Sequence, residues 1–300
     1  MSRISLKERI RKGVLLLDGA MGTELIARGV EVGKCNDYLN IESPDIVFDV
    51  HRAYLEAGSD AVLTNTFGAN KYALGRHGFG DRVEEINKAG AQIARKAAGE
   101  EKYVLGDIGP SGDFLEPLGG LKPEALRKAF AEQAKGLLAG GVDGFIIETM
   151  TALEEIAVAI EAVKSVCGGL PVFASMSFDK AGDDFRTMMG VDVESAVAKI
   201  IPFDVDVVGF NCGSASLDEY VELAGEFASA VKATGQDVLI LAEPNAGKPE
   251  LVDGRAVYNV SPEDFAAAVE KVHLAGVNIV GGCCGTGPAH IEALAKRLKS

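Results

Sequence analysis

Two adjacent cysteines near the C-terminus, Cys283 and Cys284, sit among glycines in Gly281-Gly282-Cys283-Cys284-Gly285-Thr286-Gly287 and follow directly on an apolar run. A third, Cys212, ends a similar run in Val208-Gly209-Phe210-Asn211-Cys212-Gly213. Three thiols at the ends of two such runs suggest a metal site, because Zn²⁺ accepts tetrahedral sulfur ligation and a catalytic zinc keeps three protein ligands and one open position. Neighbouring residues of a regular strand point to opposite faces, so Cys283 and Cys284 can share an ion only where the chain leaves strand geometry, which the flanking glycines permit. The alternative is a buried inert dithiol or an adjacent-residue disulfide for the pair and a small core residue for Cys212, since this is not a standard zinc spacing. If zinc is held, three thiolates leave one net negative charge. A further thiol in the fourth position is then deprotonated yet still nucleophilic, which suits alkyl transfer to sulfur.

The remaining metal-ligating types contribute less. Cys35 falls in an early loop and Cys167 at the end of a helical pattern, where a small, partly buried thiol is expected. His51, His77, His273 and His290 lie within or just before helical segments, so surface or helix-end positions are expected for each. Five cysteines, odd in number and without framework spacing, read as reduced thiols.

Eight apolar runs must position these groups: Val14 to Asp18, Ala61 to Thr66, Tyr103 to Ile108, Gly144 to Thr149, Pro171 to Phe178, Val207 to Cys212, Val238 to Asn245 and Ile279 to Cys284. Near-continuous apolar character without alternation marks strands buried on both faces, hence a parallel sheet. Helical patterns lie between them. Ser43-Pro44 and Ser261-Pro262 are N-cap and first-turn signals, Thr151 with Glu154 makes a candidate capping box, and Gly58 and Gly276 are stops. A helix-stopping glycine, a polar residue and a buried strand recur in Gly58-Ser59-Asp60-Ala61, Gly141-Val142-Asp143-Gly144 and Gly276-Val277-Asn278-Ile279. Eight strands alternating with helices predict an α/β fold, a closed (β/α)₈ TIM barrel formed by residues 1–300 as one domain. An open doubly wound sheet is the alternative; no Gly-x-Gly-x-x-Gly follows the first strand to support it.

The formal net charge of −14, with no Lys/Arg-rich face, argues against nucleic acid. No run approaches the ~20 apolar residues of a membrane span, and residues 1–12 lack the apolar stretch of a secretory signal, so no membrane association and a cytoplasmic location are expected.

In either α/β architecture ligands bind at the C-terminal ends of the strands. Those ends carry Asp18, Gly19 and Ala20, then Thr64 to Thr66, then Asp107, then Glu148, then Cys212, then Glu243 and Asn245, then Cys283 and Cys284. Carboxylates of Asp18 and Glu148 suit an ammonium group, while amides of Gly19 and Ala20 and the Thr64 and Thr66 segment suit a carboxylate, so the rim fits an amino acid. Each residue alone also has a structural reading, as a cap, an ion-pair partner or a turn hydroxyl.

Several motifs are shared with one family. These are Leu17-Asp18-Gly19-Ala20-Met21-Gly22-Thr23-Glu24, Asn36-Asp37-Tyr38-Leu39-Asn40, Thr64-Asn65-Thr66-Phe67-Gly68-Ala69, Gly106 through Gly112, Asn211-Cys212, Glu243-Pro244-Asn245-Ala246-Gly247 and Gly281 through Thr286. Through them the chain closely resembles the homocysteine S-methyltransferase family, above all the homocysteine-binding module of cobalamin-dependent methionine synthase. The resemblance implies a (β/α)₈ barrel in which Cys212, Cys283 and Cys284 bind Zn²⁺ and homocysteine sulfur takes the open position. It further implies that Asp18 and Glu148 contact the substrate amino group, that Gly19 and the Thr64 to Thr66 segment contact its carboxylate, and that the Asn245 side-chain oxygen fills the fourth zinc position when substrate is absent. Family members using S-methylmethionine or S-adenosylmethionine typically carry Arg where this chain has Gly285, and the aromatic donor pocket of the betaine branch has no match. The implied donor is therefore methylcobalamin on a separate corrinoid protein or cobalamin-binding domain, the chain being either a fragment or a free-standing barrel. Two other classes stay open: a non-catalytic zinc-binding partner of a corrinoid protein, and a phosphate-binding barrel using Gly281 to Gly287 as an anion nest, which leaves the paired cysteines unexplained.

Overall fold

The computed structural model describes residues 3–252 and 255–299. Its core is a sheet of eight parallel strands, β1 (Leu15–Leu16), β2 (Ala61–Leu63), β3 (Tyr103–Ile108), β4 (Gly144–Met150), β5 (Val172–Met176), β6 (Val207–Asn211), β7 (Leu239–Glu243) and β8 (Ile279–Val280), with β8 paired back onto β1. The remaining gap between β1 and β2 is bridged by the Asp60 N–H donating to Leu16 O at 2.7 Å, while Asp60 Oδ2 accepts the Leu16 N–H at 3.1 Å. Helices follow every strand, from Met21–Ala27 after β1 to Pro288–Leu298 after β8. The expected (β/α)₈ barrel is therefore the architecture.

Strand parity divides the apolar residues between two cores. Leu15, Leu17, Ala61, Tyr103, Leu105, Ile146, Phe173, Val207, Leu241 and Ile279 form one buried cluster inside the barrel. The alternate residues Leu16, Val62, Val104, Phe145, Val172, Val208, Ile240 and Val280 join a larger core between strands and helices. Burial on both faces is why the runs show no polar alternation.

The N-terminal segment has a part that its basic composition did not suggest. Ser5 and Glu8 form a capping box that starts a short helix, Leu6–Arg9, and Leu6 and Ile10 bury themselves in the inner cluster. That helix plugs the barrel at the end opposite the cysteines. Other boundaries differ locally. Ser261 Oγ accepts the Asp264 N–H and caps Pro262–Leu274 as expected. Ser43 precedes Pro44–Glu56 without a side-chain capping bond, its backbone at φ −146° and ψ 61°. The capping box at Thr151 and Glu154 does not form, because Thr149 at φ 59° carries β4 on to Met150 and Ala152 becomes the cap of Leu153–Lys164. Two antiparallel hairpins were not anticipated, Asp179–Ala181 with Asp184–Arg186 and Glu250–Val252 with Arg255–Val257. No described helix is long and apolar enough to cross a membrane.

Truncating the plug tests its weight. Ile10→Ala and Leu6→Ala each remove a buried aliphatic side chain and are expected to lower the unfolding free energy by about 2–4 kcal/mol. Urea unfolding measures this, and the metal content of the folded protein should not change.

Candidate active site

The inward series of each strand continues past the apolar layers and turns polar. Tyr103 and Leu105 lead by twos to Asp107, Ile146 to Glu148, Phe173 to Ser175, Val207 to Asn211, and Leu241 to Glu243. All five of these polar residues are buried. Asn211 is their hub: its Nδ2 donates to Glu148 Oε2 at 2.7 Å and Thr149 Oγ1 at 2.6 Å, and its Oδ1 accepts the Thr149 N–H and the Ser175 hydroxyl. The residue after it, Cys212, has φ 56°, so the chain leaves strand geometry there in a left-handed step by a non-glycine residue.

That step brings Cys212 to the pair from the last strand. The sulfurs of Cys212 and Cys284 lie 4.0 Å apart, as do those of Cys283 and Cys284, and all three ligand atoms fall within 4.8 Å of one another. Tetrahedral zinc with bonds of ~2.3 Å sets sulfurs about 3.8 Å apart, so little movement closes the set on one ion. The thiols hydrogen-bond among themselves, and the contacts of Cys284 with Cys212 and Cys283 pull its pKa down. A second feature also fits a cation. Asn245 Oδ1 is buried without a hydrogen-bond partner, although its Nδ2 donates to Gly213 O at 2.6 Å. Three soft sulfurs match zinc chemistry, and the orphaned oxygen lies in the neighbouring turn after β7, which is hydrogen-bonded to both cysteine turns through Gly213 O and Cys284 O.

The glycines around the pair act differently from the simple expectation. A Cβ on Gly281 would stand 2.9 Å from Leu17 Cβ, and one on Gly282 2.6 Å from Thr286 Oγ1, so these two are glycine for close approach. Gly285 alone of the three adopts positive φ, at 81°, and a Cβ there would stand 2.2 Å from Tyr258 Cγ. Thr286 ties the turn down by donating to Cys283 O at 2.7 Å.

A cavity of about 410 Å³ opens above the thiols, lined by Asp18, Gly19, Ala20, Thr64, Thr66 and Glu148 together with Cys212, Cys283 and Cys284. Every expected site residue except Asn245 thus lines one cavity. Some of their donors are already engaged. The Ala20 N–H donates to Thr286 Oγ1 at 3.2 Å, and Thr66 Oγ1 donates to Asp107 O at 2.8 Å while sharing a 2.6 Å bond with Thr64 Oγ1. The two threonine hydroxyls therefore brace the wall, spending their protons on each other and on the backbone. Asp37, Asn40 and Asn65 explain two further shared motifs: Asp37 Oδ1 accepts the Gly68 N–H, and Asn65 Nδ2 donates to Asn36 O, fastening the first loop to the second.

Asp107 and Glu243, which the sequence places at strand ends without a role, line the same cavity. Parity was the signal for a role, since both continue an inward series. Burial raises the pKa of Asp18, Asp107 and Glu243, and pushes Glu148 up to about 7 with the nearby Cys212 adding to it. Of the remaining residues, Cys167 is buried, Cys35 is half-buried at the cavity wall, and His77 is exposed. His273 and His290 bond helix-end backbone, as expected. His51 departs from expectation. It is fully buried with neither ring nitrogen partnered, and burial holds it neutral by lowering its pKa to about 3.

Comparison with known proteins agrees with this geometry. The family model for homocysteine S-methyltransferase matches residues 15–298. The methionine synthases of Mycobacterium tuberculosis and Mycobacterium leprae are 36% and 34% identical over 94% and 97% of this chain. The chain spans about a quarter of the length of these relatives, 24% and 25%. Among solved structures, the metallated form of the Escherichia coli homocysteine methyltransferase MmuM superposes with a TM-score of 0.78 at 24% identity, covering 97% of this chain and 99% of that one, a likeness of fold.

The Asn211 hub gives the site a direct test. Asn211→Ala leaves four partner groups on Glu148, Thr149 and Ser175 unpaired and is expected to cost about 2–4 kcal/mol of stability, read by urea unfolding. It is also expected to weaken metal retention, because Glu148 and the Cys212 step lose their common anchor.

Proposed function

Since the chain belongs to the homocysteine S-methyltransferase family, we propose that it is a zinc-dependent enzyme that methylates homocysteine to methionine, with a methylcorrinoid on a separate protein or domain as the donor. The observation that carries the reading is the Cys212, Cys283 and Cys284 cluster at the floor of a cavity whose walls suit an amino acid. Zinc, when bound, lowers the pKa of an entering thiol and leaves it nucleophilic at neutral pH.

The chain's own residues supply placement. Cys212, Cys283 and Cys284 hold the ion, and Asn245 Oδ1 is the oxygen suited to the fourth position before substrate arrives. Glu148, fixed by Asn211, and Asp18, whose Oδ2 accepts the Leu63 N–H at 3.1 Å, face the substrate ammonium. The substrate carboxylate is assigned to the Gly19 backbone, which lines the same cavity. With both hydroxyls committed to the wall, Thr64 and Thr66 shape the cavity more than they donate to it.

The donor assignment has a structural support of its own. Gly285, in a left-handed conformation beneath the Tyr258 ring, has no room for the arginine of the S-methylmethionine- and S-adenosylmethionine-using members.

Two measurements test this reading. Cys212→Ala, Cys283→Ala and Cys284→Ala are each expected to lose stoichiometric zinc and methyl transfer; retention of both in all three variants contradicts the proposal. Offered methylcobalamin, S-methylmethionine, S-adenosylmethionine and betaine side by side, the protein is expected to use methylcobalamin best, and a clear preference for betaine overturns the donor assignment.

A further inference from the structure

The turns that carry Cys212 and Asn245 leave neighbouring strands, β6 and β7, and one side chain from outside the sheet joins them. Tyr220 lies in the first turn of the helix Leu217–Thr234, which a capping box between Ser216 and Glu219 starts, and it is 1% exposed. Its ring is stacked on Phe210 with centroids 6.3 Å apart, in an aromatic layer that Phe227 continues at 5.2 Å from Phe210. Its hydroxyl donates to Cys212 O at 2.7 Å and accepts the Asn245 N–H at 3.3 Å.

A hydroxyl suits this place because it has one proton to give a carbonyl and lone pairs to receive an N–H. A bare phenyl ring would strip the same C=O and N–H of that partner, which is costly for buried backbone. Both groups belong to residues of the metal site. Cys212, at φ 56°, holds a left-handed conformation that costs a non-glycine residue energy and persists only where its surroundings fix it. Tyr220 grips the carbonyl of that step. Asn245 is fixed at its N–H by Tyr220, at its carbonyl by the Gly247 N–H at 2.7 Å, and at Nδ2 by Gly213 O at 2.6 Å. That leaves Oδ1 as its buried oxygen without a partner.

We propose that Tyr220 is a positioning residue of the metal site, its hydroxyl setting the separation of the Cys212 and Asn245 turns so that one sulfur and one oxygen are held for the same ion. The inference rests on the zinc reading of the cysteine cluster and adds to it a residue that does not line the cavity. Outer partners of this kind orient the ligands, and losing one typically costs about 10–100-fold in metal affinity.

Two variants of the full chain separate positioning from packing. Tyr220→Phe keeps the ring and removes the hydroxyl, whereas Phe227→Leu disturbs the same aromatic layer and leaves the hydroxyl in place. By chelator competition, zinc affinity is expected to fall about tenfold or more in Tyr220→Phe and to stay within about twofold of wild type in Phe227→Leu. With cobalt(II) in place of zinc, the d–d absorption reports ligand geometry; it is expected to differ from wild type in Tyr220→Phe and to coincide with it in Phe227→Leu. Zinc affinity and cobalt spectrum both unchanged in Tyr220→Phe, or equal changes in the two variants, overturn the inference and leave the zinc reading intact. A wild type that takes up neither zinc nor cobalt overturns that reading itself, and the inference with it.

Discussion

Nine buried or half-buried carboxyl and thiol groups line one cavity of this barrel, Asp18, Asp37, Asp107, Glu148, Glu243, Cys35, Cys212, Cys283 and Cys284, and no buried lysine or arginine among the described residues answers them. Removing such groups from water is expensive unless each finds a proton or a cation. Burial raises the pKa of these carboxyls, which favours their neutral forms, and the three thiols of the cluster hydrogen-bond among themselves. What remains matches two positive charges of different kinds. A soft divalent ion suits the sulfurs, and an ammonium suits the carboxyls.

The closed parallel sheet makes this crowding possible. Its lower layers are filled by Leu105, Ile146, Phe173 and Leu241, with Leu6 and Ile10 sealing the far end. The acids therefore sit on a packed apolar floor and can reach water only through the cavity. The cysteines are set differently, just beyond the regular strands, where the backbone is free to turn. Cys212 enters by a positive φ, and the Cys283-Cys284 pair enters through a turn pinned by Thr286 and pressed beneath Tyr258. A rigid sheet aims the carboxyls while two irregular turns aim the thiols.

Much of this was legible in the sequence. Seven of the eight strands lie inside the apolar runs that announced them and β4 exceeds its run by one residue, Met150, because a strand buried on both faces needs an unbroken apolar stretch. The runs overshoot at their C-terminal ends, notably at β1, β2 and β8, since the residues there are buried by the site and not by the sheet. The cysteines, Asp18 and Glu148 were found from their types at strand ends. Asp107 and Glu243 were placed at strand ends but given no role, because each is a single acid within an apolar run whose inward direction shows only by counting positions up the strand. His51 was misplaced for the reverse reason: its helical position gave no sign of which face was buried. The Thr151–Glu154 box failed because the left-handed Thr149, a tertiary demand of the site, shifted the helix start.

The central claim is that three cysteine sulfurs hold one zinc with a position left for the substrate thiol. X-ray absorption at the zinc edge tests it most directly, recorded on the purified protein before and after adding L-homocysteine. The account predicts three sulfur ligands and one oxygen ligand before, and four sulfurs after. A sulfur count that starts below three, or that does not rise with homocysteine, would contradict it.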